Sequence, residues 1–153
     1  MNLEIERRFL VNESNLNFPK DKKRIKQAYL LSDSKQALRV RMIGSDYFLT
    51  YKYKKSGINR YEFEYPISKE DGEKLMSLSD AIIIVKDRYY ITIDDHLWEI
   101  DVFYGENKGL IIAEIELIDE NENVSLPNWI SKEISTDEKY FNFNLSKVPF
   151  SVW

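Results

Sequence analysis

Cysteine is missing from all 153 residues of the chain, which excludes disulfides, thiolate metal sites and thiol nucleophiles. The single histidine, His96, stands beside Asp94 and Asp95 in a stretch that reads as a turn, where a structural role is expected. A surplus of positive charge is also lacking. The net charge of −4 and pI near 5.2 argue against general nucleic-acid binding, which needs a basic surface. The basic residues that are present must then serve a local purpose. No apolar run approaches membrane-spanning length, since Ala81-Ile82-Ile83-Ile84-Val85 is the longest candidate. The opening residues are acidic rather than basic and then apolar, so no secretory signal is expected, and a soluble cytoplasmic protein without a membrane partner is the default. No repeat, low-complexity segment or linker divides the chain, so one domain over 1–153 is expected, long enough for a full core.

What the sequence does contain is alternation. Leu3-Glu4-Ile5-Glu6-Arg7-Arg8-Phe9 reads as a strand with Glu4, Glu6 and Arg8 on one face and Leu3, Ile5 and Phe9 on the other. Neighbouring carboxylates on one strand face repel unless something positive sits between them. A hard cation such as Mg²⁺ or Mn²⁺, held by oxygen ligands, would relieve that repulsion. The same device returns in Ala113-Glu114-Ile115-Glu116, so the acidic pairs could converge on one metal site. Cations lie between them in sequence: Arg39 and Arg41, Lys52 and Lys54, Arg60 with Glu62 and Glu64, and Lys86 and Arg88, followed by Glu99 and Asp101. A solvated sheet face is the ordinary reason for such alternation. Such faces usually carry Thr, Ser, Gln and Asn, whereas these are dominated by Arg, Lys and Glu. Charges of both signs repeated around a sheet suit a barrel interior that holds metal and polyanion together.

Strands are predicted near 3–11, 25–31, 36–43, 46–54, 59–67, 83–93, 97–104 and 110–118, with turns at Gly44-Ser45-Asp46, Lys55-Ser56-Gly57 and Asp94-Asp95-His96. Ser68 reads as the N-cap of a helix whose first turn is acidic and which Gly72 weakens. Pro127-Asn128-Trp129-Ile130 is expected to open a second short helix reaching about Ile134, and the tail from Asn142 to add a turn before Pro149. The run Lys20-Asp21-Lys22-Lys23-Arg24 reads as a solvated loop. The fold class is α+β, dominated by β.

Several pieces in order resemble one family. Glu4-x-Glu6-x-Arg8 matches a Glu-x-Glu-x-Lys signature except at its last position. Gln27-Ala28-Tyr29-Leu30, Leu38-Arg39-Val40-Arg41, Thr50-Tyr51-Lys52, Arg60-Tyr61-Glu62-Phe63-Glu64, Lys86-Asp87-Arg88-Tyr89, Trp98-Glu99-Ile100-Asp101 and Ala113-Glu114-Ile115-Glu116 follow. The set resembles the CYTH superfamily, or triphosphate tunnel metalloenzymes, over nearly the whole chain. The resemblance implies an eight-stranded antiparallel closed β-barrel with a few flanking helices, whose interior binds a small-molecule triphosphate and a divalent metal, Mg²⁺ or Mn²⁺.

On that resemblance, Arg39, Arg41, Lys52, Arg60, Lys86 and Arg88 are the implied phosphate contacts, since a triphosphate leaves water only for a row of cations. Glu4, Glu6, Glu114 and Glu116 are the implied metal ligands, with Glu62, Glu64 and Asp101 as further ones. Arg8 replaces the signature lysine, which in such hydrolases is thought to work with a tyrosine, matched by Tyr29, on the attacking water. An arginine effectively never gives up its proton, so Arg8 is expected to bind phosphate and orient Tyr29, with Lys86 as the alternative base. The compact chain resembles short bacterial tripolyphosphatase-like members best. The same tunnel also serves class IV adenylyl cyclases, and binding of a triphosphate without turnover is the non-enzymatic reading. Dimers are common among such proteins, so a homodimer is among the expected assemblies.

Overall fold

A computed structural model describes residues 2–153. Its strands are β1 (Leu3–Val11), β2 (Lys22–Ser32), β3 (Gln36–Ile43), β4 (Asp46–Ser56), β5 (Asn59–Ile67), β6 (Ile84–Ile93), β7 (His96–Phe103), β8 (Ile111–Glu116) and β9 (Ile130–Glu133). Two short helices join them, α1 (Lys69–Ser77) and α2 (Asn142–Leu145). The sheet runs β5-β4-β3-β2-β6-β7-β8-β1, and pairing of β1 with β5 closes it into an eight-stranded antiparallel barrel. Closure removes the sheet edges that would otherwise invite aggregation.

The hairpin turns fall where the punctuation put them. Gly44 and Gly57 take positive φ, and Asp94 and Asp95 do so consecutively, at 50° and 64°. Paired left-handed residues make the tight turn whose twist matches the flanking strands, and Asp tolerates that region better than most residues. Ser68 caps α1 by accepting the Asp71 backbone N–H at 3.0 Å. Gly72 is explained by contact: a Cβ there would overlap the Tyr47 ring, so the glycine lets α1 lie flat on the barrel.

Each strand gives one face to apolar packing and the other to the tunnel. Outside, Ile5, Phe9, Trp98, Ile100, Ala113 and Ile115 form a core roofed by Leu16 and Trp129, with the Trp98 and Trp129 rings edge-to-face at 5.4 Å. A second core of Ile84, Phe103, Leu110, Ile112, Ile134, Tyr140 and Leu145 gathers around the chain's last segment.

The expected helix over 127–134 is corrected to strand: Ile130–Glu133 pairs with β1 at Val11 and Phe9. β1 meets β5 only through Leu3–Ile5, which leaves the rest of that side without ladder partners. β9 supplies them, and Ser135 Oγ accepts the Arg8 backbone N–H just beyond. The loop expected at Lys20–Arg24 is likewise corrected, because Lys22, Lys23 and Arg24 begin β2 and pair with β6. The cause is Asp87, a buried carboxylate on the barrel's outside, which takes Arg24 at 2.6 Å and Lys22 at 3.1 Å. His96 pairs with Glu122 across the neighbouring loop. Among the described residues, no helix is long and apolar enough to cross a membrane.

Candidate functional site

Strand register decides which charges meet inside the barrel. Glu6 lies opposite Glu116, Arg8 opposite Glu114, and Glu114 opposite Glu99. Arg88 lies opposite Asp101, Tyr29 opposite Arg39, Thr50 opposite both Arg39 and Glu64, Lys52 opposite Glu62, and Glu4 opposite Arg60. The tunnel therefore gathers charges of both signs, the mixture that the sequence pattern predicts.

Its charges divide into two groups. Around a cavity of about 130 Å³ stand Glu4, Glu6, Arg8 and Tyr29, with Arg39, Lys52 and Arg60. Lys52 donates to Glu4 at 2.9 Å and reaches Glu62 at 3.2 Å. Arg8 is 6% exposed and lies 3.5 Å from Glu114 and 3.9 Å from Glu6, and its Nη1 donates to the Tyr140 carbonyl at 3.0 Å. Arg39 touches Glu64 only at 4.0 Å. Buried Arg8 Nη2 and Arg39 Nε have no hydrogen-bond partner among the described residues, and neither has Arg41 Nε. Guanidinium donors left bare in a low-dielectric interior are costly, and a polyanion is the ligand that would satisfy several at once.

The second group does not line the cavity. Lys86, 1% exposed, donates to fully buried Asp101 at 2.8 Å and lies 5.4 Å from the Phe103 ring centre. Arg88 forks onto Asp101 at 2.7 and 2.8 Å, reaches Glu99 at 2.6 Å and Glu114 at 3.5 Å. Arg41 donates to Glu64 at 3.0 Å. Arg41, Lys86, Arg88, Glu62, Glu64, Asp101, Glu114 and Glu116 thus stand beside or behind the cavity rather than on its wall.

The electrostatics follow that division. Burial alone would raise the Glu4 carboxyl, but Lys52, a hydrogen bond with Glu62 and Arg39 bring it down to about 2. Glu6 goes the other way: burial and then the neighbouring carboxylates of Glu114 and Glu4 push it well above the ordinary range. Glu114 opposes its own burial with Arg88, Arg8 and Lys86 and is held far below that range. Burial brings Lys86 down to about 8, and burial with Arg39 and Arg88 brings Arg41 to about 10.

Among the described residues, no three acidic or histidine side chains close around one point as a finished cation cage. The donor chemistry nevertheless fits a hard divalent ion. Glu4 and Glu6 offer only carboxylate oxygens, and Glu6 sits in an excess of negative charge that a cation would relieve.

Sequence reasoning passed over several residues. Glu99 is grouped with Asp101 by the alternation but is given no role at the site. Gln27, wholly buried with an unpartnered Oε1, donates to the Tyr29 hydroxyl at 3.4 Å. Ser135, Thr136, Phe141, Asn142 and Phe143 line the cavity from the chain's last segment, where Phe141 and Asn142 end a run, Asp137–Asn142, that resembles the closing segment of short family members.

A closed antiparallel barrel with a mixed-charge tunnel and bare buried guanidinium donors defines a polyanion-binding tunnel protein. The CYTH domain matches residues 2–151, and the chain belongs to that family. It is 37% identical over 151 residues to an inorganic triphosphatase of Acetivibrio thermocellus, covering 98% of this chain and 97% of that one. An inorganic triphosphatase of Nitrosomonas europaea is 32% identical over 146 residues, covering 91% and 93%. A crystal structure of an inorganic triphosphatase superimposes with a TM-score of 0.66 at 32% identity, covering 94% of this chain and 93% of that one.

Proposed function

We propose that this protein is a divalent-metal-dependent phosphoanhydride hydrolase that cleaves inorganic tripolyphosphate to pyrophosphate and phosphate. The observation that carries the reading is the pair Arg8 and Arg39, which line the cavity with Glu4 and Glu6 and each keep a buried guanidinium nitrogen without a partner. The relatives named inorganic triphosphatases support it.

Arg39, Lys52 and Arg60 grip the phosphate oxygens along the cavity, and Arg8 adds a donor at its inner wall. Glu4 and Glu6 would hold the metal, Mg²⁺ or Mn²⁺, with Glu114 and Glu116 beside the cavity as further ligands and Glu62, Glu64 and Asp101 behind them. Such an ion, when bound, would supply neutralisation of phosphate charge and a more acidic water. Phosphoryl transfer needs positioning and electrostatics more than covalent help, so the absence of cysteine costs this reaction nothing. Tyr29 lines the cavity and its hydroxyl accepts from Gln27, which leaves the phenolic proton free to orient water or phosphate. Arg8 serves as a phosphate contact, not as a base, since a guanidinium is a poor proton acceptor. Lys86, Arg88 and Arg41 act on the bound anion through the field of the tunnel.

Product analysis by chromatography tests the proposal. Purified protein is given tripolyphosphate, ATP or thiamine triphosphate, each with Mg²⁺ or Mn²⁺. Phosphate and pyrophosphate in equal amounts from tripolyphosphate, with little from the other two, is the expected result. Cyclic AMP from ATP, or no turnover of any substrate, would overturn it.

A further inference from the structure

The buried tunnel cations share a habit that Arg60 lacks, as do the exposed cavity-lining Lys35 and Lys54. Arg8, Arg39, Arg41, Lys52, Lys86 and Arg88 each have a carboxylate within 4.0 Å. Arg60 has none among the described residues, and its guanidinium makes no side-chain hydrogen bond. It lies instead over the face of Phe141, with its central carbon 4.7 Å from the ring centre. Both residues line the cavity.

The difference has a chemical consequence. A carboxylate partner occupies the N–H edge of a guanidinium and must be displaced before phosphate can use it. An aromatic ring holds the same group by its flat face and leaves the edge free. The ring itself stands on firm ground. Phe141 precedes α2, its carbonyl accepts the Asn144 and Leu145 N–H groups at 2.9 Å each, and its own N–H donates to Glu138 at 3.0 Å. Its ring rests 5.8 Å from Phe143, which in turn meets Tyr29 edge-on at 6.4 Å.

We propose that Phe141 is a positioning residue for substrate capture: it holds Arg60 by its face at the cavity, with the N–H edge ready for a phosphate of a linear triphosphate. The proposal rests on the tunnel being a tripolyphosphate site.

The test is calorimetric titration of tripolyphosphate in chelator, without divalent cation, so that affinity is read without turnover. Wild type, Phe141→Leu, Phe141→Trp, Arg60→Gln and the Phe141→Leu/Arg60→Gln double variant are compared, with thermal midpoints as a folding check. Phe141→Leu keeps apolar bulk but loses the π face, and its Kd should rise roughly three- to ten-fold. Phe141→Trp should bind like wild type. In the Arg60→Gln background Phe141→Leu should add nothing, because the two act through one contact. In steady-state assays with metal the loss should fall on KM more than on kcat. An unchanged Kd for Phe141→Leu, equal losses for Leu and Trp, an additive loss in the double variant, or a fall in kcat and thermal midpoint with KM unmoved would each overturn the proposal. Wild type that binds tripolyphosphate without hydrolysing it would sink the hydrolase reading alone, since the Kd series still decides Phe141. Wild type that does not bind would sink both.

Discussion

The two halves of the tunnel are made of the same residue types and differ in how fully their charges are paired. Around the cavity, Arg8 and Arg39 keep bare buried nitrogens, and Arg60 has a ring where a carboxylate would be expected. Behind it, Lys86 and Arg88 are tied to Asp101, Glu99 and Glu114 at distances as short as 2.6 Å. Alternation of charge along a strand does not distinguish a cation waiting for a ligand from one already satisfied. What distinguishes them is the count of partners that the closed barrel delivers to each. On the proposed reading, the more fully paired half serves as scaffold and field, and the less paired half as the ligand seat.

The comparison can be broken most forcefully from the scaffold side. Asp101→Asn leaves Lys86 and Arg88 buried without their central counter-charge, and should destabilise the fold by about 3–5 kcal/mol in denaturant unfolding. A near-neutral result would mean that this knot is not structural. On the cavity side, Arg39→Gln should lower kcat/KM for tripolyphosphate by roughly 100-fold or more while leaving the unfolding midpoint near wild type. Equal damage to stability and activity in both variants would erase the distinction. Glu6→Gln should remove the metal-dependent component of activity, because it deletes a proposed ligand. Its stability should hold or rise, since a carboxylate crowded by Glu4 and Glu114 has been replaced by a neutral group. A metal titration that matches wild type would contradict the assignment.

The smallest effect belongs outside the barrel. The Asp87 carboxyl is held below its ordinary value: burial opposes this, but hydrogen bonds from Arg24, Lys22 and Tyr104 prevail. A carboxyl lowered on folding contributes stability above its unfolded value and loses it as pH falls through its folded one. Its partners Lys22 and Arg24 are about half exposed, so solvent screening keeps the contribution near ~1 kcal/mol. Asp87→Asn should cost that much near neutral pH and flatten the acid limb of the stability profile, with catalysis unaffected. An unchanged acid limb would remove Asp87 from the account.

Much of this was legible in the chain because strands announce their faces. Glu4, Glu6, Arg39, Lys52, Arg60 and Glu114 are placed inside by period-two alternation, and closure of the barrel brings residues over a hundred positions apart together. Ile130–Glu133 was not legible, since four residues carry too little pattern. Their extended state is set by the unpaired side of β1, a tertiary demand. Lys22 and Arg24 look solvated until Asp87 appears opposite them. Phe141 reads as one more apolar residue in a tail, because its partner Arg60 lies 81 positions earlier in the chain. Partner choice across the barrel is the information that one-dimensional pattern lacks.

The most direct measurement is a crystal structure with tripolyphosphate bound. The account predicts phosphate oxygens on Arg39, Lys52 and Arg60, with Arg8 Nη2 and Arg39 Nε now hydrogen-bonded and the Lys86–Asp101–Arg88 knot unmoved. An anion seated on Lys86 and Arg88 with Asp101 displaced, or bound on the outer face of the barrel, would contradict it.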